Sequence, residues 1–147
     1  MPTKTKEIQK KLTETMKRWQ KVENASVAST GKVIEKTENP VVRLIMEIIQ
    51  RDSQMHYRIQ QLIIDSLESK AVSLVPQELG DVWDMIKSHI KLEQETVVLA
   101  NEAKAALKGK QMVVQEYLID YLLVDEEKHN HVLENLSIIK KGMYPYG

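Results

Sequence analysis

Apolar residues recur along most of the chain at intervals of three and four, the period of one face of an α-helix, and no stretch shows the β-branched alternation of a strand. Four runs separate. The first carries Leu12, Met16, Trp19, Glu23, Ser26, Thr30 and Val33, and the second Val42, Ile45, Ile49, Asp52, His56, Ile59 and Ile63. The third carries Val82, Ile86, His89, Glu93, Thr96, Ala100, Ala103 and Leu107, and the fourth Leu118, Leu122, Asp125, His129, Val132, Leu136 and Ile139. Punctuation between the runs is sparse. Asn39-Pro40 fits a helix start, with Asn as the cap and Pro in the first turn, and Val75-Pro76 offers a second Pro start with a poor cap. Gly109 suits a left-handed position after a helix, and Lys140-Lys141-Gly142 followed by Pro145 is a second such ending.

These marks predict helices over 3–37, 40–71, 76–108 and 110–141, each nearly ~50 Å long at a rise of ~1.5 Å per residue. Connections this short make consecutive helices antiparallel, so the expected fold is all-α: an up-down-up-down four-helix bundle forming one domain over 1–147. Gly31, with Ala25, Ser26, Ala28 and Ser29 before it, lets the first helix approach a neighbour closely at some cost in helix propensity.

Composition narrows the chemistry. A chain of 147 residues is long enough for one real core. Lys+Arg and Asp+Glu both number 21, a formal net charge of zero that argues against a nucleic-acid groove or an anionic membrane surface as partner. Cysteine is absent, which removes disulfides, thiolate metal sites and cysteine nucleophiles, so any metal must be held by oxygen and nitrogen. Apolar runs fall far short of the ~20 residues of a membrane span, and MPTKTKEIQKK has no apolar signal core; a cytoplasmic location is expected. A Gly-rich phosphate loop, a G-x-S-x-G elbow and an H-E-x-x-H helix are all missing, which disfavours phosphoryl and acyl transfer.

The informative positions are the polar ones inside the apolar stripes. Glu23, Asp52 with His56, His89 with Glu93, and His129 with Asp125 or Glu126 all fall near the inward phase, one cluster per helix at mid-length. Pairs at i, i+3 or i, i+4 point two side chains to the same place. Antiparallel helices put residues equidistant from their turn at one level: Glu23 reflects to about 54, that point to about 93, and the midpoint of His89 and Glu93 to about 128, all within about one helical turn. Isolated buried carboxylates cost several kcal/mol each. One or two divalent cations would satisfy carboxylates and neutral imidazoles together.

Glu126-Glu127-Lys128-His129 is an E-x-x-H segment, and with a carboxylate from each other helix at its level the chain resembles the di-iron carboxylate proteins of the ferritin-like superfamily, including the rubrerythrin group. The resemblance implies a dinuclear centre, most readily iron with manganese or zinc as substitutes, that handles oxygen, peroxide or ferrous iron. Carried over by position, Glu126 bridges or chelates, His129 binds one metal, and Glu23 and Glu93 are the single glutamates of two helices. Ser53 stands three before His56, so Asp52 takes the carboxylate role at i, i+4, and His89 is an additional ligand.

His89-x-x-x-Glu93 also resembles the H-x-x-x-E element of hemerythrins, oxygen-binding bundles of simple up-and-down topology, although only four histidines are present here and His131 points to another face than His129. The alternative without metal is a solvated polar layer or set of interhelical salt bridges that fixes register, in a helical module that associates with itself, for example as a homodimer. Between Asp125 and Glu126, the apolar flank through Ile119 and Leu133 favours Glu126.

Overall fold

The computed structural model describes residues 2–68 and 76–143. All of the regular structure among them is α-helical: α1 (Pro2–Lys36), α2 (Pro40–Glu68), α3 (Pro76–Ala106) and α4 (Val113–Met143). The chain divides into two compact units, Met1–Ser73 and Leu74–Gly147, each a pair of long helices. No helix among the described residues is long and apolar enough to cross a membrane. The expected end of the second helix at 71, the Val75 cap and Pro145 lie outside the described residues.

In the first unit the α1–α2 connection is built as the local sequence requires. Asn39 Oδ1 accepts from the amides of Val41 (3.0 Å) and Val42 (3.1 Å), a side-chain cap over the first turn of α2 with Pro40 behind it. Arg43 then reaches back and donates to the carbonyls of Ile34 (2.8 Å) and Thr37 (3.0 Å), satisfying acceptors that the end of α1 leaves open. The helices run antiparallel from there: Val27 faces Gln50, Ser26 faces Ser53, Glu23 faces His56, and Gln20 faces Tyr57 and Gln61.

The face along which α1 and α2 meet is rotated from the apolar stripe. Its buried positions are Thr13, Met16, Gln20, Glu23 and Thr30 on α1 and Ser53, Gln60 and Ile64 on α2, whereas Leu12, Trp19, Val33, Val42, Ile49 and Ile59 are exposed. Two cylinders touch along a line, so a pair of helices covers one flank of a stripe ≳ 100° wide and leaves the other open. Polar side chains on the covered flank are joined across it: Gln20 Nε2 donates to the Tyr57 carbonyl (3.3 Å) and to Gln61 Oε1 (3.0 Å), Gln50 Nε2 donates to the Val27 carbonyl (3.1 Å), and Ser53 Oγ donates to Ser26 Oγ (2.9 Å).

The second unit repeats the plan. Lys104 pairs with Asp120, Thr96 with Glu126, and Asn130 with the Glu93 carbonyl, an antiparallel register that leads back to the 107–112 connection. Gly109 takes the left-handed conformation there (φ 76°), as its position after α3 predicts. α1 lies within one residue of expectation at each end, α3 ends at Ala106 rather than 108, and both ends of α4 move by two or three residues. The fourth helix begins at Val113 rather than 110, because 107–109 form a turn in which Lys110 donates to the Leu107 carbonyl (2.9 Å). It also runs through Gly142 to Met143, since glycine is permissive of helical φ as well as of the left-handed region.

Two substitutions test this account. A methyl at Gly31 would stand 3.5 Å from Gln50 Nε2, an ordinary contact, so Gly31→Ala is expected to stabilise the protein by about 0.5–1 kcal/mol through helix propensity. A lowered midpoint in denaturant unfolding would show instead that α1 and α2 need the glycine. Asn39→Ala is expected to destabilise by about 1 kcal/mol in the same measurement, and no change would mean that the cap contributes nothing.

Candidate metal centre

Midway along α3 and α4 three ligand-type side chains converge. One ligand atom from each of Glu93, Glu126 and His129 lies within 4.8 Å of the other two. Helical spacing explains the set: Glu126 and His129 are i, i+3 on the flank of α4 that meets α3, and Glu93 is on the matching flank of α3. His129 Nδ1 stands 3.3 Å from Glu93 Oε2 and 3.6 Å from Glu126 Oε2, while His89, one turn before Glu93, places Nε2 2.9 Å from Glu93 Oε1. The Glu93 carboxylate is thus addressed on both oxygens by imidazoles, and its side chain is only 13% exposed.

Neighbouring groups fix the donors. Thr96 Oγ1 lies 2.7 Å from Glu126 Oε2 and 2.6 Å from the Glu93 carbonyl, so its single proton serves one oxygen at a time. Asn130 Nδ2 donates to the carbonyls of Glu93 and Glu126, both at 3.2 Å, tying the backbones of the two helices together at the site. On the far side of the His129 ring, Nε2 is 3.4 Å from Asp125 Oδ2, and Lys128 holds that carboxylate at 2.7 Å. Nδ1 is the ring nitrogen at hydrogen-bond distance from Glu93 Oε2; an ion on Nδ1 would place the ring proton on Nε2, toward Asp125.

Burial by itself would raise the pKa of Glu93. It is outweighed by hydrogen bonding with Glu126, His129 and His89 and by the charge of His129, which together hold the carboxyl below its ordinary value. Glu93 is therefore ionised at neutral pH, as a metal ligand must be.

The other candidates fall differently. Glu23 and His56 meet in the first unit, Oε2 to Nδ1 at 3.4 Å, with the glutamate side chain 9% exposed. Asp52 is not brought to them: it is half-buried and takes part in no hydrogen bond or ion pair among the described residues. Ser53 occupies the contact flank, and Asp52, ~100° round the helix, points past it. Between the two alternatives on α4, Glu126 joins the cluster and Asp125 stands behind the imidazole. Thr96 and Asn130 were not among the sequence-derived site residues. The signal for both was present, since each is a polar residue on the contact flank one turn from a candidate ligand.

No family model, curated protein or solved structure matches the chain.

A depressed carboxyl pKa stabilises the fold above the unfolded-state pKa, and that contribution is lost as pH falls through the folded-state value. The stability difference between the native protein and Glu93→Gln is therefore expected to be largest near neutrality and to shrink on acidification through the carboxylate range. Thermal unfolding of both proteins across that range checks this, and a gap that widens on acidification would contradict it.

Proposed function

We propose that the protein is a metal-binding helical protein of ferritin-like type, whose α3–α4 pair holds a divalent ion between Glu93, Glu126 and His129. The observation that carries this reading is the approach of three donors to within 4.8 Å around an ionised, largely buried carboxylate. Metal–oxygen and metal–nitrogen bonds of ~2.0–2.2 Å put neighbouring ligands roughly 3–4 Å apart, so these side chains need only rotamer adjustments to close on an ion. Two carboxylates with one imidazole suit iron, manganese or zinc, and the resemblance of E-x-x-H to the di-iron carboxylate proteins favours iron.

In the first unit Glu23 and His56 offer two further donors of the same kind, and the dinuclear centre that the ferritin-like resemblance implies is not assembled within either unit among the described residues. When bound, iron in such a site supplies electron transfer to dioxygen or peroxide, and the protein would serve as an oxidoreductase of ferroxidase or peroxidase type. The chain's own residues supply the rest: Glu93 and Glu126 give charge, Asp125 sets the imidazole tautomer, and Thr96 orients the Glu126 carboxylate.

Calorimetric titration of chelator-treated protein with ferrous, manganous and zinc ions is expected to show saturable binding. Glu93→Ala and His129→Ala are expected to abolish it, and Thr96→Val and Asp125→Asn to weaken it ~10–100-fold. Glu23→Ala should leave that binding intact. Full binding in both Glu93→Ala and His129→Ala would sink the assignment. Ferrous oxidation in air, followed in the near ultraviolet, then separates turnover from simple binding.

A further inference from the structure

Each helix pair leaves most of its apolar stripe uncovered. Among the described residues of the first unit the buried large apolar side chains are Met16 and Ile64, whereas Leu12, Trp19, Ile49 and Ile59 are exposed. In the second unit Leu79 is buried, and Met85, Leu92, Leu99 and Leu122 are exposed. Helices owe most of their stability to the packing of such a face, and contiguous exposed patches of this kind mark surfaces of association.

The charges beside the two faces identify the partner. The first unit carries thirteen Lys and Arg against nine Asp and Glu, and the second eight against twelve, so a neutral chain is divided into halves of opposite sign. The excess lies along the edges of the open faces. On α1 the exposed Lys4, Lys11 and Arg18 interleave at helical spacing with the exposed Ile8 and Val22, and on α2 Arg51 and Arg58 interleave with Met55 and Leu62. On α3 the residues interleaved with Met85, Leu92 and Leu99 are acidic: Asp81 and Glu95, with Glu78 one turn before Asp81. Lys11, Arg51, Arg58, Glu78 and Glu95 make no ion pair among the described residues, so their charges are not spent within their own unit.

We propose that two copies of the chain form a closed dimer, in which the basic-edged face of the first unit of each copy receives the acidic-edged face of the second unit of the other. Twofold symmetry makes the two contacts equivalent, so all four open faces are covered at once and association stops at two. Burial of the apolar stripes supplies the affinity. The edges select the unlike unit, because two first units or two second units would bring like charges together. The dimer does not rest on metal binding at Glu93, Glu126 and His129.

Sedimentation equilibrium of the native chain in chelator is expected to give twice the mass of one chain at micromolar concentration, and this tests the dimer independently of how any variant folds. Two charge-reversed chains locate the contact. One carries Lys11→Glu, Arg51→Glu and Arg58→Glu, and the other Glu78→Lys, Asp81→Lys and Glu95→Lys. Each alone is expected to self-associate at least tenfold more weakly than the native chain, with helicity unchanged by circular dichroism. Mixed in equal amounts they are expected to recover a dimer with one chain of each kind by native mass spectrometry, because both contacts then pair unlike charges. A native chain that is monomeric at every concentration, or a mass that keeps rising with concentration, would overturn the proposal. So would folded reversed chains that dimerise as tightly as the native one, or that stay monomeric when mixed.

Discussion

The structure depends on placing carboxylates where two helices meet. A carboxylate taken out of water costs several kcal/mol unless charge and hydrogen bonds replace the lost solvation. Glu93 meets that requirement, with His89 and His129 on its two oxygens and Glu126 alongside, and the outcome is an anion held ionised below its ordinary pKa. Glu23 meets it only in part: His56 faces one oxygen at ion-pair distance without a hydrogen bond. The two positions look equivalent along the chain and differ in how fully they are compensated. That difference separates a carboxylate with imidazoles on both oxygens from one with a single, longer ion pair.

Polar contacts also set the register of each helix pair. Hydrophobic side chains slide past one another with little loss, whereas a hydrogen bond between fixed helices is satisfied at one offset only. In the first unit that work falls to Ser26 with Ser53, Gln20 with Gln61, and Gln50 with the Val27 carbonyl. In the second it falls to Thr96 with Glu126 and Asn130 with the Glu93 carbonyl. In α3 and α4 the register-setting bonds are the same ones that hold the Glu93, Glu126 and His129 cluster together. Fold and site are consequently not separable there, because moving Asn130 or Thr96 disturbs both the helix offset and the carboxylates.

His129 has carboxylates facing both of its ring nitrogens. Spacing of three and four brings Glu126 to one ring nitrogen and Asp125 to the other, although the two are consecutive in sequence. The ring is held between them with Nδ1 toward the cluster. Lys128 neutralises Asp125 from outside, so the supporting carboxylate adds little net charge to the site.

The all-helical architecture, the Asn39-Pro40 start, the left-handed Gly109 and the meeting of Glu23 with His56 and Glu93 with His129 were all legible in the sequence. Each follows from local chemistry or from counting equal distances either side of a turn. What the period of three and four does not determine is which flank of a wide stripe faces the partner helix. That flank lies about one residue round from the most apolar line, and the shift carries Ser53 rather than Asp52 to the contact, whereas on α4 the apolar flank through Ile119 and Leu133 already favours Glu126 over Asp125. One residue is ~100° of helix rotation, enough to move the Asp52 carboxylate off the contact with α1, and only the packing of one helix on the other decides it.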